Sequence, residues 1–380
     1  MKKIIIFIAM FLPFAANSQN MASEIDSLLT TYQLADQFNG TALVALNGKP
    51  LLIKGYGQKD ALNNKPNTEN TVFQIGSITK QFTSTVILKL QEEGKLSVKD
   101  KLSKYFPGYP KGDSVTIENL LTHTSGIYNY TNDNDFMTNK IAIPTNMESM
   151  LAIFRDKPYT FSPGKGYNYS NSGYLLLGYI IQKVTGKPYE TMIRELIFKP
   201  LKMNHSGFDF THLADPDKAK GYFTYTSTSQ IAAPIVDSSV SFAAGAIYST
   251  VEDLFKWSQA VNEGKILKPA SWAMAYTVVK NKYGYGWIID SIYGKRMITH
   301  GGGIHGFNSD MMRIPQDGVT IVLLNNMSNP KLGEISSAIA AILNNKPYKL
   351  PIINKAMAVS EEILKKYIGE YELAPTFKLT

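Results

Sequence analysis

Phe73-Gln74-Ile75-Gly76-Ser77-Ile78-Thr79-Lys80-Gln81-Phe82 carries a short apolar run into a helix, and the reading of this stretch decides the fold. Gly76 permits a tight approach from the extended run. Beyond it Ile78, Phe82, Val86 and Leu90 recur at i, i+4 spacing, a stripe that should bury against a sheet, and Gly94 ends the helix. Ser77 opens this helix and Lys80 lies one turn on, on a shared face. A serine hydroxyl attacks a carbonyl only when a nearby base takes its proton, and the helix sets an amine beside it. Alone, Ser-x-x-Lys is weak, since a helix cap followed by a solvated lysine makes the same pattern. The position adds to it, because a backbone N–H at a helix N-terminus points where charge develops on a carbonyl oxygen.

Outward from this helix, Ile25, Leu28, Leu29 and Tyr32 recur at helical spacing, and residues 41–56 carry Asn47-Gly48 between two strand-like runs, a β-hairpin. Downstream, residues 96–236 read as short helices and polar connections, with helices over 146–155, 172–184 and 188–198 and few strands. A helix over 251–261 then precedes strands at 283–289, 296–300, 308–314 and 319–324. Tyr293-Gly294 and Asp317-Gly318 make these an antiparallel meander, and a final helix covers 332–343. Strands from both ends of the chain should pair in one sheet. The expected fold class is α/β (α+β): an antiparallel β-sheet flanked by helices with an inserted all-helical domain. Its parts are residues 19–95 and 237–350 for the discontinuous sandwich and 96–236 for the helical domain, with the active site in the cleft between. Residues 351–380 read as a C-terminal tail or the opening of a further β-rich module.

Lys2 and Lys3 precede an unbroken apolar run from Ile4 to Ala16 and the small-residue pattern Ala16-Asn17-Ser18, so residues 1–18 read as a signal peptide. That implies a periplasmic or secreted protein with no stable transmembrane anchor after cleavage. The chain has 380 residues and no cysteine, which excludes disulfides and thiolate chemistry. Its net charge of +8 is spread along the sequence, unlike the clustered Lys and Arg of a nucleic-acid groove. No nucleic-acid partner is expected.

Two further stretches carry chemistry. Tyr169-Ser170-Asn171 sits just after Pro163-Gly164 and before a helix. A phenol titrates near pH 10, and a neighbouring ammonium would favour the phenolate; an amide side chain offers a donor and an acceptor. A packed tyrosine and a capping asparagine make the same pattern. His300-Gly301-Gly302-Gly303 ends a strand, where glycines let a substrate backbone approach the edge and a free N–H could serve an oxyanion, or where they form a plain turn.

In this order and at these separations, the three motifs resemble the signature set of penicillin-binding enzymes and serine β-lactamases. With Tyr-Ser-Asn as middle element, the chain is similar to the class C β-lactamase and D-alanyl-D-alanine carboxypeptidase branch over roughly residues 24–345. Leu120-Leu121-Thr122-His123-Thr124-Ser125-Gly126 and Gly302-Gly303 through Gly306-Phe307 match as well. The resemblance implies Ser77 as nucleophile, Lys80 as its activating partner and Tyr169 as general base in acylation and deacylation. It implies Asn171, His300 and Gly302 as substrate-binding residues, with His300 where that family has lysine, and the backbone N–H groups of Ser77 and Gly303 as the oxyanion hole.

Two departures bear on substrate. Histidine makes the charge at that corner dependent on pH, with a reference pKa near 6.5. Gly301 stands where the family has a threonine that helps bind a carboxylate, which shifts the expectation from β-lactams toward D-amino-acid amides and esters. His123, His205, His212 and His305 share no metal spacing, and no metal or cofactor is expected. The implied function is a serine hydrolase acting on D-alanyl peptides or related amides and esters, including cell-wall peptide. The alternatives are an esterase or weak β-lactamase, and a non-catalytic penicillin-binding sensor.

Overall fold

The computed structural model describes residues 12–328, 331–353, 360–374 and 377–379. The apolar leader expected over residues 1–18 falls largely outside the described residues. Asn47 and Gly48, with φ of 53° and 70°, form the tight turn between β1 (Gly40–Leu46) and β2 (Lys49–Tyr56), as a two-residue primed turn requires. Far along the chain come β3 (Ile288–Ile292), β4 (Lys295–Ile304), β5 (Phe307–Ile314) and β6 (Val319–Asn325). β1 closes on β6 with Gly40 opposite Asn325 and Val44 opposite Ile321. The result is an antiparallel six-stranded sheet of order β2-β1-β6-β5-β4-β3, in which both ends of the chain meet as expected.

The principal helices are α1 (Leu12–Leu34), α2 (Thr79–Glu92), α3 (Asn171–Thr185), α4 (Ser238–Gly245), α5 (Val251–Asn262) and α6 (Leu332–Leu343). Alternation along the strands separates two cores. Ala42, Val44, Ile321 and Leu323 pack with Ile25 and Leu29 of α1 and Ile335 and Ile339 of α6. Leu43, Ala45, Val322 and Leu324 face the other way, into a larger core with Phe82 and Val86 of α2 and Leu175 and Ile180 of α3. α2 is enclosed on nearly every side, so its polar residues find internal partners: Thr83 donates to the Ala243 carbonyl at 2.7 Å, and Gln81 accepts from the Trp257 indole at 2.9 Å.

The strand expected at 283–289 is displaced. The sheet strand begins only at Ile288, and residues 283–287 pack as a loop against the segment after Pro269–Ala275. Glycine is the cause: a Cβ on Gly284 would sit 2.3 Å from the Ala275 carbonyl oxygen, and Gly286 has φ of 80°. β4 is longer than the expected 296–300, running on through the three glycines to Ile304. The region 96–236 holds short helices as expected, together with an unforeseen hairpin, Tyr222–Tyr225 with Gln230–Ala232. Near the C-terminus Tyr371–Ala374 pairs with Phe377–Leu379. Among the described residues no helix is long and apolar enough to cross a membrane.

Candidate active site

Ser77 lies in the 3-10 turn Gly76–Ile78 that leads directly into α2. Gly76 has φ of 50°, and a Cβ there would sit 2.9 Å from the Gly303 nitrogen. Gly302 is tighter still, because its Cβ would meet the Ile75 carbonyl oxygen at 2.0 Å and the Ser309 hydroxyl at 2.3 Å. The glycine run of β4 thus lets the strand lie hard against the turn that carries Ser77. Ser77 and Gly303 line the same cavity, whereas Gly302 faces the interior and does not.

Asn171 reaches the same place from the helical side. Ser170 caps α3 by accepting from the Gly173 N–H, which fixes Asn171 in the first turn. Its Oδ1 accepts from Lys80 Nζ at 2.8 Å, and its Nδ2 donates to Thr131 Oγ1 at 3.3 Å, leaving a second amide proton for a substrate carbonyl. The third wall is α4, interrupted at Phe242, which holds φ of 35° and ψ of −129°. Strained backbone of this kind persists where packing enforces it. Just beyond it, the Ala244 carbonyl accepts from Lys80 Nζ at 2.8 Å.

Lys80 is fully buried, and its Nζ lies 2.9 Å from Ser77 Oγ. Desolvation by burial lowers its pKa well below the usual lysine range. Two of its three partners are carbonyl oxygens that can only accept. A neutral amine has two protons for those two oxygens, and its lone pair then faces the Ser77 hydroxyl. Lys80 Nζ lies 4.9 Å from the ring centroid of Tyr169. Burial raises the Tyr169 pKa, against a smaller lowering by the nearby Ser77 hydroxyl. The expected pull of an ammonium toward phenolate is therefore outweighed by desolvation. Lys80 Nζ thus stands within hydrogen-bond distance of Ser77 Oγ, Asn171 Oδ1 and the Ala244 carbonyl oxygen at once.

His300 needs correcting on two counts. It is buried rather than facing substrate, with Nε2 2.8 Å from the Tyr283 phenol and Nδ1 2.6 Å from the Gly301 carbonyl oxygen. Burial and the nearby Lys80 push its pKa down to about 3, so the charge expected to switch near neutrality is absent there. Arg296, four residues earlier on β4, donates to the Tyr276 carbonyl at 3.1 Å.

Sequence reasoning missed Tyr283 by placing it in a strand, although Tyr283-Gly284-Tyr285-Gly286 is a poor strand and its glycines were the available signal. His123, in the loop that resembles the family's, has φ of 58° and accepts from the Ser170 N–H at 3.1 Å. The His123 ring lies 4.1 Å from that of Tyr169, between centroids. Among the described residues no cluster of His, Asp and Glu could hold a metal ion.

Comparison with known proteins agrees with this fold. The Beta-lactamase family model matches residues 25–343. A Bacillus subtilis protein named as penicillin-binding protein PbpX is 33% identical over 87% of this chain and 82% of its own length. A penicillin-binding protein homologue from Pyrococcus abyssi superposes with a TM-score of 0.76 at 30% identity, covering 94% of this chain and 82% of the other. A D-stereospecific amidohydrolase from Streptomyces sp. does so with a TM-score of 0.69 at 27% identity, over 82% and 94% respectively. Sheet, helices and matched span together mean that this chain belongs to the β-lactamase family and is a serine hydrolase of the superfamily it shares with the penicillin-binding proteins.

Proposed function

We propose that this chain is an exported hydrolase that opens amides and esters, D-alanyl peptides and related D-amino-acid amides among them, through an acyl-enzyme on Ser77. The observation that carries the reading is the fully buried Lys80 amine 2.9 Å from Ser77 Oγ, held there by Asn171 Oδ1 and the Ala244 carbonyl oxygen. Lys80 takes the Ser77 proton as the Oγ–C bond forms, and the carbonyl oxygen turns toward the N–H groups of Ser77 and Gly303. The C–N or C–O bond then breaks, and Tyr169 gives its proton to the departing amine or alcohol. Lys80 returns a proton to the phenolate, and water releases the acid by the reverse roles. Support for amides comes from the likeness to the D-stereospecific amidohydrolase, and support for export from the leader expected at residues 1–18.

The test is intact-protein mass spectrometry after mixing with p-nitrophenyl esters, D-amino-acid amides and a penicillin. A transient acyl mass on Ser77 with product release, abolished in Ser77→Ala, is the expected result. A penicillin adduct that never turns over, with every ester and amide untouched, would make the protein a sensor instead.

A further inference from the structure

The cavity beside Ser77 has a volume of about 410 Å³. Ser77, Asn171 and Gly303 line it, whereas Tyr169, Tyr283 and His300 do not. A leaving group must lie within reach of the group that protonates it. If Tyr169 fills that role, the leaving group sits on the Tyr169 side and the cavity is left for the acyl part of the substrate.

Its walls differ in origin. Tyr130, Met137, Ile141 and Val236 from the helical region, with Val240 of α4, form an apolar wall. Across from them stand Ile304, His305, Asn308 and Ser328 from the sheet. No Asp, Glu, Lys or Arg lines the cavity among the described residues. The His305 ring packs 5.3 Å from that of Phe223, between centroids, and burial lowers its pKa, so it too is neutral.

From this we infer that the cavity is a subsite for a bulky, neutral acyl group, an N-blocked aromatic or branched aminoacyl residue rather than an alanyl residue with a free amine. The inference rests on the acyl-enzyme reading and sharpens its substrate class. An alanyl methyl leaves most of the volume to water against the apolar wall, and filling that volume removes apolar surface from water. A free α-ammonium entering the cavity loses hydration and meets no counter-charge.

The experiment holds the leaving group constant. Four p-nitrophenyl esters, with acetyl, N-acetyl-D-alanyl, N-acetyl-D-phenylalanyl and unblocked D-phenylalanyl groups, are compared by kcat/KM. N-acetyl-D-phenylalanyl should exceed N-acetyl-D-alanyl, and the unblocked ester, by about tenfold or more. Met137→Trp, which narrows the cavity, should lower the ratio of phenylalanyl to acetyl turnover by about tenfold. Met137→Glu should shift preference toward the unblocked amine. Equal rates for the alanyl and phenylalanyl esters, or a Met137→Trp effect that is the same for every acyl group, would overturn the subsite. Failure to turn over any ester would instead overturn the acyl-enzyme reading beneath it.

Discussion

The Tyr283 phenol lies 2.8 Å from Nε2 of His300, whose other ring nitrogen lies 2.6 Å from the Gly301 carbonyl oxygen. A carbonyl can only accept, so the single ring proton is on Nδ1 and Nε2 accepts from Tyr283. Both nitrogens are thereby occupied within the protein, and His300 acts by holding β4 and the aromatic cluster in place.

That neutral state has a cost in acid. The unfolded histidine titrates near pH 6.5, whereas folded His300 resists protonation until about pH 3. Between those values the unfolded chain binds a proton that the folded chain refuses, so stability is full above pH 6.5 and is lost as pH falls through the window. Buried His123 acts in the same direction. Asp310, raised to about 6 by burial, opposes them below that pH, but over a shorter span. Thermal melts should therefore show Tm falling from about pH 7 to about pH 4, with a shallower fall in His300→Asn. A flat Tm across that range would contradict the assignment.

Lys80 should govern the acid limb of activity. A base must be unprotonated to take the Ser77 proton, so acylation rises with pH, and the lowered pKa brings the plateau below the ordinary lysine range. Lys80→Ala should reduce kcat/KM by about 10²-fold to 10⁴-fold. Single-turnover mass spectrometry across pH would check both, and an acid limb that survives in Lys80→Ala would assign it to another group.

For Tyr169 the discriminating variable is the leaving group. Removal of the phenol matters most when the departing group is a poor one that must be protonated, as an amine is. Tyr169→Phe should therefore lower amide turnover by about 10²-fold or more while p-nitrophenyl esters, whose leaving group departs as an anion, lose much less. Equal losses on both would mean that Tyr169 acts mainly on Ser77 rather than on the leaving group.

Much of this was legible in the sequence, for identifiable reasons. The i, i+4 stripe of α2, the Asn47-Gly48 turn and the helix over Leu332–Leu343 are local patterns, and each holds where periodicity placed it. The convergence of Ser77, Lys80, Tyr169 and Asn171 followed from their motifs and family resemblance. What escaped was set by burial. His300 was assigned a charge from its reference pKa, and Tyr169 a phenolate from its neighbour, because desolvation depends on everything packed around a group and no local pattern encodes it. Tyr283 escaped because Gly284 and Gly286 remove its segment from the sheet.

The glycines of β4 give the sharpest stability contrast. A Cβ on Gly302 would stand 2.0 Å from the Ile75 carbonyl oxygen, a backbone atom that cannot move without displacing the turn that carries Ser77. Gly302→Ala should therefore destabilise by about 1 to 3 kcal/mol, the range for overpacking a close contact, and should lower activity with it. Gly301 has room, since the nearest atom to its added Cβ is the Ser309 carbonyl oxygen at 3.6 Å. Gly301→Thr should leave Tm nearly unchanged and place a hydroxyl at the exposed edge of β4. Urea melts of the two variants measure the difference directly. If Gly302→Ala proved as stable as Gly301→Thr, the close seating of β4 on the Ser77 turn would be wrong, and with it the shared wall on which Ser77 and Gly303 stand.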